Sequence, residues 1–174
     1  GPPFPAIFDA FRVVEAYRET AGQHGVRIPP QYAEAKARAD KIEETLGPRA
    51  EQPCHNDLLN ANFIRSPDGI RIVDWEYAGM GDRFFDLANF SINHELGEAD
   101  TEALLETYFG ELREEEVRAT RLMRFMSDFR EAMWGVVQTA VSELDFDFAA
   151  YAAEHFERLR KTAAEPAFRA ALGA

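Results

Sequence analysis

Cys54-His55-Asn56-Asp57-Leu58-Leu59-Asn60-Ala61-Asn62 runs directly into Phe63-Ile64-Arg65, Ser66-Pro67-Asp68-Gly69 and Ile70-Arg71-Ile72-Val73, and closes on Asp74-Trp75-Glu76. The middle of this stretch carries the signature of a β-hairpin: two short apolar and β-branched runs either side of a Ser-Pro-Asp-Gly turn. In an antiparallel hairpin the start of the first strand lies beside the end of the second. Asn62 begins the first run and Asp74 follows the second, so their side chains are expected to converge although twelve positions separate them. Asp57, in the polar loop five residues before Asn62, can face the same space.

These residue types have a chemistry in common. One amide oxygen and one carboxylate, completed by water and phosphate oxygens, suit a Mg²⁺ ion that keeps part of its hydration. A carboxylate at Asp57 can accept the proton of a substrate hydroxyl as that hydroxyl attacks the γ-phosphate of ATP. His55 is the other catalytic-loop candidate, and its expected role is to brace the loop by hydrogen bonds. Single Asn and Asp residues are common in turns. The ordered set Asp57, Asn62 and Asp74, with apolar strands between the last two, is what points to phosphoryl transfer. Cys54 and His55 do not suggest zinc, because no second Cys/His pair stands at ligand spacing.

Outside the hairpin the pattern is helical. Phe8, Phe11, Val14 and Tyr17 recur at helical spacing until Gly22 and Gly25. Pro29-Pro30 open a second helix with Tyr32, Ala35, Ala39, Ile42 and Leu46 inward, and Gly47-Pro48 end it. Helices are expected over 84–96 and over 101–109, the latter from an Asp100 cap. A long helix over 114–142 carries Leu122, Phe125, Met126, Phe129, Met133, Val136 and Ala140 on one stripe. The last, over 147–163, turns Phe148, Ala152, Phe156 and Leu159 inward, with Pro166 beyond it. The expected fold is mainly α with one small β-hairpin, as a single unit over 1–174: leading helices in 1–50, loop and hairpin in 51–82, and a helical subdomain in 83–174.

Composition narrows the function classes. Of 174 residues, 46% are hydrophobic and 29% charged, ordinary for a soluble globular chain. No apolar run approaches a membrane span, and no signal-peptide pattern opens the chain, whose Gly1-Pro2 reads as a tag-cleavage scar. The single cysteine fits a reducing, cytoplasmic setting, and Asn89-Phe90-Ser91 reads as a chance match to a glycosylation acceptor. The net charge of −12 argues against nucleic acid or an anionic membrane as partner, and is compatible with a cationic substrate or a divalent metal.

The stretches Cys54–Ile64 and Ile72-Val73-Asp74-Trp75-Glu76-Tyr77-Ala78-Gly79 resemble the choline/ethanolamine kinases, which belong with the aminoglycoside phosphotransferases and are relatives of the protein kinases. His55, Asp57 and Asn62 meet the pattern His-x-Asp-x-x-x-x-Asn, and Asp74 matches the metal-binding Asp. The resemblance implies Asp57 as the base, Asn62 and Asp74 as Mg²⁺ holders with Glu76 assisting, and Asp86 as a support beneath the catalytic loop. It further implies an aromatic pocket for a quaternary ammonium, shaped by Tyr77, Trp134 and Tyr151. Where the family often has a second Trp this chain has Glu131, which can pair with a primary or protonated amine such as ethanolamine or an amino sugar.

No G-x-G-x-x-G and no Val-Ala-Ile-Lys-like segment occurs, and the early lysines, Lys36 and Lys41, fall in an expected helix. The chain therefore reads as the C-terminal lobe of a protein-kinase-like (aminoglycoside phosphotransferase) fold with the N-terminal nucleotide lobe absent. Alone it is expected to bind ATP poorly, to be inactive, and to self-associate through the face the missing lobe would cover. The parent protein is expected to phosphorylate a small cationic amino alcohol from ATP. An aminoglycoside-type kinase and a non-catalytic binding lobe are the alternatives.

Overall fold

The computed structural model describes residues 4–173; Gly1 and Pro2, read as a cleavage scar, lie outside them. The chain forms two compact units. One is built from the segment up to Asp9 together with Pro48–Arg124, the other from Ala10–Gly47 and the chain from Phe125 onward. The fold is mostly helical with two small antiparallel sheets.

In the first unit β1 (Gln52–Cys54) pairs with β4 (Gly79–Gly81), and β2 (Phe63–Ser66) pairs with β3 (Gly69–Ile72). The second pair is the hairpin the sequence announced. The first pair was not anticipated. Its strands are three residues each, with 24 residues between them, too short to show alternation. The N-terminal segment extends it: Phe8 N–H donates to Met80 O at 2.8 Å and Met80 N–H donates to Ala6 O at 2.8 Å. A Cβ at Gly79 would stand 3.0 Å from Ala6 O, and one at Gly81 would stand 3.0 Å from Phe8 O. A side chain at either position would crowd that backbone, and glycine relieves it.

Helix α3 (Arg83–Asn93) follows β4 at once, capped by Asp82, whose carboxylate accepts from Phe84 N at 2.9 Å. It buries Phe85, whose ring meets Phe8 at 5.1 Å, and presents the half-buried Phe90 to Phe63 of the hairpin at 5.4 Å. These contacts fix the hairpin and the N-terminal segment to one helix. Helix α4 (Glu98–Phe109) starts three residues earlier than the expected 101. Its N-cap is Gly97, and Asp100 lies inside the first turn, where a carboxylate favours the helix dipole instead of capping.

Helix α5 (Glu114–Val141) is long enough that its first residues belong to the first unit and the rest to the second. The second unit also holds α1 (Ala10–Gln23), α2 (Gln31–Leu46), α6 (Phe148–Ala164) and α7 (Pro166–Leu172). The α5 stripe is buried as its periodicity demands: Phe125, Met126, Phe129 and Met133 are fully enclosed, with Phe129 meeting Tyr32, Phe156 and Phe125. Ala140 departs from the expectation and is exposed, the stripe having run past the last contact. Phe8 precedes α1 and belongs to the other unit. Pro166 opens α7 at its first position, where its missing N–H costs nothing, and does not simply terminate α6. Gly135 lets α6 approach α5, since a Cβ there would stand 3.0 Å from Tyr151 Cδ1 and 3.2 Å from Ala152 N.

Cys54 is buried in β1. Burial, reinforced by the carboxylates of Asp86 and Asp82, pushes its thiol from 9.0 up to about 12. Between those values the folded chain holds a proton that the unfolded chain releases, so Cys54 makes folding less favourable as pH rises through that window. At pH 8 the thiolate fraction is about a thousandfold smaller than in an unfolded chain, so alkylation by iodoacetamide is expected to be slower by at least that factor in native protein than in denaturant. Equal rates in the two conditions, followed by mass spectrometry, would contradict the assignment.

Candidate active site

The loop between β1 and the hairpin is held by hydrogen bonds from outside itself. Asp86, on the first turn of α3, accepts His55 N–H on one carboxylate oxygen and Asn56 N–H on the other, both at 2.7 Å. Burial pushes the Asp86 carboxyl above the usual carboxylate range, against the downward pull of the two amides. Asn89, one turn further along α3, is fully buried and accepts Leu58 N–H on its side-chain oxygen. Asn89 therefore cannot serve as a glycosylation acceptor in the folded chain. Asn56 adopts φ 66° and donates from its side chain to Tyr77 O at 3.0 Å, tying the loop to the approach of β4. The sequence marks neither Asn56 nor Asn89 as a support of this loop. An Asn that tolerates the left-handed region inside a polar loop was the available signal for Asn56. Asn89 gave none, because it acts on a backbone amide 31 positions away.

Within the loop, Asp57 is buried and its carboxylate accepts from Asn62 Nδ2 at 3.1 Å, while Asp57 O accepts from the same nitrogen at 2.8 Å. Asn62 does not open the strand as expected. It ends a single 3-10 turn, Asn60–Asn62, and its carbonyl accepts Val73 N–H at 3.0 Å as the hairpin begins. His55 Nε2 lies 2.9 Å from Val73 O, an acceptor, so Nε2 carries the hydrogen. The His55 ring also packs on Trp75 at 4.6 Å between centroids. Asn62 and His55 thus hold both backbone polar groups of Val73, the residue before Asp74.

Asp74 has φ 64°, a conformation uncommon outside glycine, Asn and Asp. Its carboxylate is exposed and makes no hydrogen bond among the described residues. Glu76 is exposed nearby in sequence and is likewise without a protein partner. Among the described residues no three His, Cys, Asp or Glu side chains stand together as a metal-holding group. The donors that do fit a hard divalent cation are the Asn62 side-chain oxygen, left over when its nitrogen is committed to Asp57, and the Asp74 carboxylate.

The remaining candidates divide between the units. Tyr77 is half-buried in the first, where its carbonyl accepts from Asn56. Trp134, Tyr151 and Glu131 belong to the second. The rings of Trp134 and Tyr151 meet edge to face at 5.7 Å, and Phe146 and Phe148 extend the aromatic group. Glu131 is 2% exposed. One of its oxygens is taken by Arg130 Nη1 and the other by the Tyr151 hydroxyl at 2.8 Å. The expectation that Glu131 pairs directly with a substrate amine therefore meets a carboxylate already engaged on both oxygens.

A helical lobe with a His-x-Asp loop braced from below, and a hairpin whose open end carries an amide and a carboxylate, has the protein-kinase-like phosphotransferase fold. The model of the Phosphotransferase enzyme family matches residues 2–126, and the chain belongs to that family. It is 30% identical over 110 residues to Protein LicA of Haemophilus influenzae, covering 59% of this chain and 38% of LicA. It is 32% identical over 129 residues to ethanolamine kinase 2 of Rattus norvegicus, covering 62% of this chain and 34% of the kinase. A choline/ethanolamine kinase family protein from Mesorhizobium loti superposes with a TM-score of 0.88 at 30% identity, over 99% of this chain and 60% of that structure. The chain thus spans under two fifths of the length of these two curated relatives. None of its described helices is long and apolar enough to cross a membrane.

Proposed function

We propose that the whole protein transfers the γ-phosphoryl group of ATP to the hydroxyl of a small cationic amino alcohol of the choline or ethanolamine type. The observation that carries this reading is the Asp57–Asn62 pair: a buried carboxylate held by an amide whose other face is left for a cation. The names of the relatives, a choline/ethanolamine kinase family protein and an ethanolamine kinase, point the same way.

In this reading Asp57 takes the proton of the acceptor hydroxyl as its oxygen bonds to the γ-phosphorus and the bridging bond to ADP breaks. Asn62 orients the Asp57 carboxylate, and Asp86 with Asn89 holds the loop so that no reorganisation is needed during the reaction. A bound Mg²⁺ supplies neutralisation of phosphate charge, and Asn62 and Asp74, with Glu76 beside them in sequence, are the residues proposed to hold it. Trp134 and Tyr151 offer perpendicular aromatic faces suited to an ammonium group. No G-x-G-x-x-G stands in the 174 residues, and we assign the covering of the phosphates and the grip on adenine to a separate lobe. The exposed Ile64, Ile70 and Ile72 of the hairpin, with Trp75, are apolar surface suited to that lobe or to self-association.

An aminoglycoside-type acceptor draws support from the net charge of −12. Glu131 adds nothing to that case, both its oxygens being engaged. The test is an acceptor panel with the whole protein and Mg-ATP, the phosphorylated product identified by mass spectrometry. Choline or ethanolamine is expected to turn over well above any aminoglycoside. Turnover of aminoglycosides alone, or of nothing in the panel, overturns the reading.

A further inference from the structure

Tyr151 is gripped at three points. Its hydroxyl donates to Glu131 at 2.8 Å. One ring edge rests on the space left by Gly135, and the ring packs on His155 at 4.5 Å between centroids. Glu131 and Gly135 are one helical turn apart on α5, so a single helix face sets both ends of the tyrosine. Glu131 in turn is held by Arg130, itself 2% exposed, so the carboxylate beneath Tyr151 carries its own counter-ion. His155 is fixed from behind by Asp128, at 2.9 Å from its Nδ1, and Arg158 reaches the same Asp128 oxygen at 3.2 Å. Two runs of largely buried polar side chains, Arg130–Glu131 and Arg158–Asp128–His155, therefore end on one aromatic ring.

We propose that Glu131 is a positioning residue for acceptor recognition: it fixes Tyr151 from beneath through the hydroxyl, so that the Tyr151 and Trp134 rings keep their perpendicular arrangement toward the acceptor's ammonium group. Glu131 acts through Tyr151 and does not meet the substrate. Because Arg130 balances its charge, the surface it supports is aromatic in character and not anionic. The inference rests on the amino-alcohol kinase reading.

The experiment compares Tyr151→Phe, Glu131→Ala, Glu131→Gln and the Tyr151→Phe/Glu131→Ala double variant in the whole protein, with KM measured separately for acceptor and ATP. Loss of a hydrogen bond to a charged group predicts an acceptor KM raised about tenfold in Tyr151→Phe and in Glu131→Ala. The double variant should be no worse than either single one, and the KM for ATP unchanged. Glu131→Gln keeps an acceptor for the tyrosine hydroxyl and should restore the acceptor KM to within about twofold of the parent value. An effect of Glu131→Ala without one of Tyr151→Phe, or additive effects in the double variant, overturns the proposal. Emission from Trp134, isolated as the difference between the whole protein and its Trp134→Phe variant, provides a readout free of turnover. Glu131→Ala should shift it as Tyr151 leaves its place, and an unchanged spectrum overturns the proposal. If the parent protein phosphorylates no amino alcohol, the functional reading fails while the fluorescence result still decides the role of Glu131.

Discussion

Asp57→Asn is expected to lower turnover of the preferred acceptor by about a thousandfold, the usual scale for removing a general base, with the fold intact. The substitution is nearly isosteric. The new amide can still accept from Asn62 Nδ2 through its oxygen, so the loop keeps the 3.1 Å contact that orients the side chain. What disappears is the ability to take the hydroxyl proton. The effect should therefore fall on kcat, with the KM values for acceptor and ATP nearly unchanged, as for a group that acts chiefly in the transition state. Steady-state kinetics of the whole protein, together with an unchanged melting temperature, make the check. Retained turnover would remove Asp57 from the role of base.

Asp86→Ala is expected to cost stability and activity together. It deprives two backbone amides, His55 N–H and Asn56 N–H, of their 2.7 Å acceptors. Two buried donors left without partners imply a loss of about 3 kcal/mol. Urea unfolding measures it as a fall in the midpoint at constant slope. Asp86→Asn retains one acceptor and should lose about half as much. The pH dependence has a definite sign. The folded chain holds the Asp86 proton to higher pH than the unfolded chain does, so its ionisation makes folding less favourable as pH rises from the ordinary carboxylate range through the raised one. Removal of the carboxylate should flatten that part of the stability profile. Because the loop carries Asp57, kcat should fall as well. A variant that unfolds at the parent midpoint would show that the loop is held by other means.

Legibility followed the range of the interactions. The stripes of α2, α5 and α6 could be read because burial on one face repeats with the helix period, and the hairpin could be read because Ser66-Pro67-Asp68-Gly69 declares its turn locally. The β1–β4 pair could not, since Gln52-Pro53-Cys54 has no period to show and its partner is set by a glycine backbone approached from the N-terminal segment. Asn62 was placed in a strand because its neighbours are strand formers, whereas its side chain, turned back on Asp57, tightens the backbone into a 3-10 turn. Pro166, expected only to lie beyond the last helix, opens a short helix of its own. At the site, His55, Asp57 and Asn62 are linked through each other and through Val73, whereas Asp74 follows Val73 in the chain without a hydrogen bond of its own among the described residues. The supports Asn56 and Asn89 were silent for a different reason: a side chain that satisfies a distant backbone amide leaves no periodic trace. Glu131 stands out in the sequence only against the family's second Trp, but its partners Arg130 and Tyr151 decide its meaning, and one of them lies on another helix.

Gly79 and Gly81 touch no group proposed to react, yet a methyl group at either position would crowd the backbone oxygen of Ala6 or of Phe8 at 3.0 Å. Their constraint is historical as well as steric. Drift can exchange the side chains of Ala6, Ile7 and Phe8 while the main chain of that segment stays in place, and lineages that keep that main chain are expected to keep both glycines. An invariant glycine pair would then be the inherited imprint of a strand whose own residues are free to change. Lineages that dispense with the strand should be recognisable by alanine or serine appearing at those two positions together.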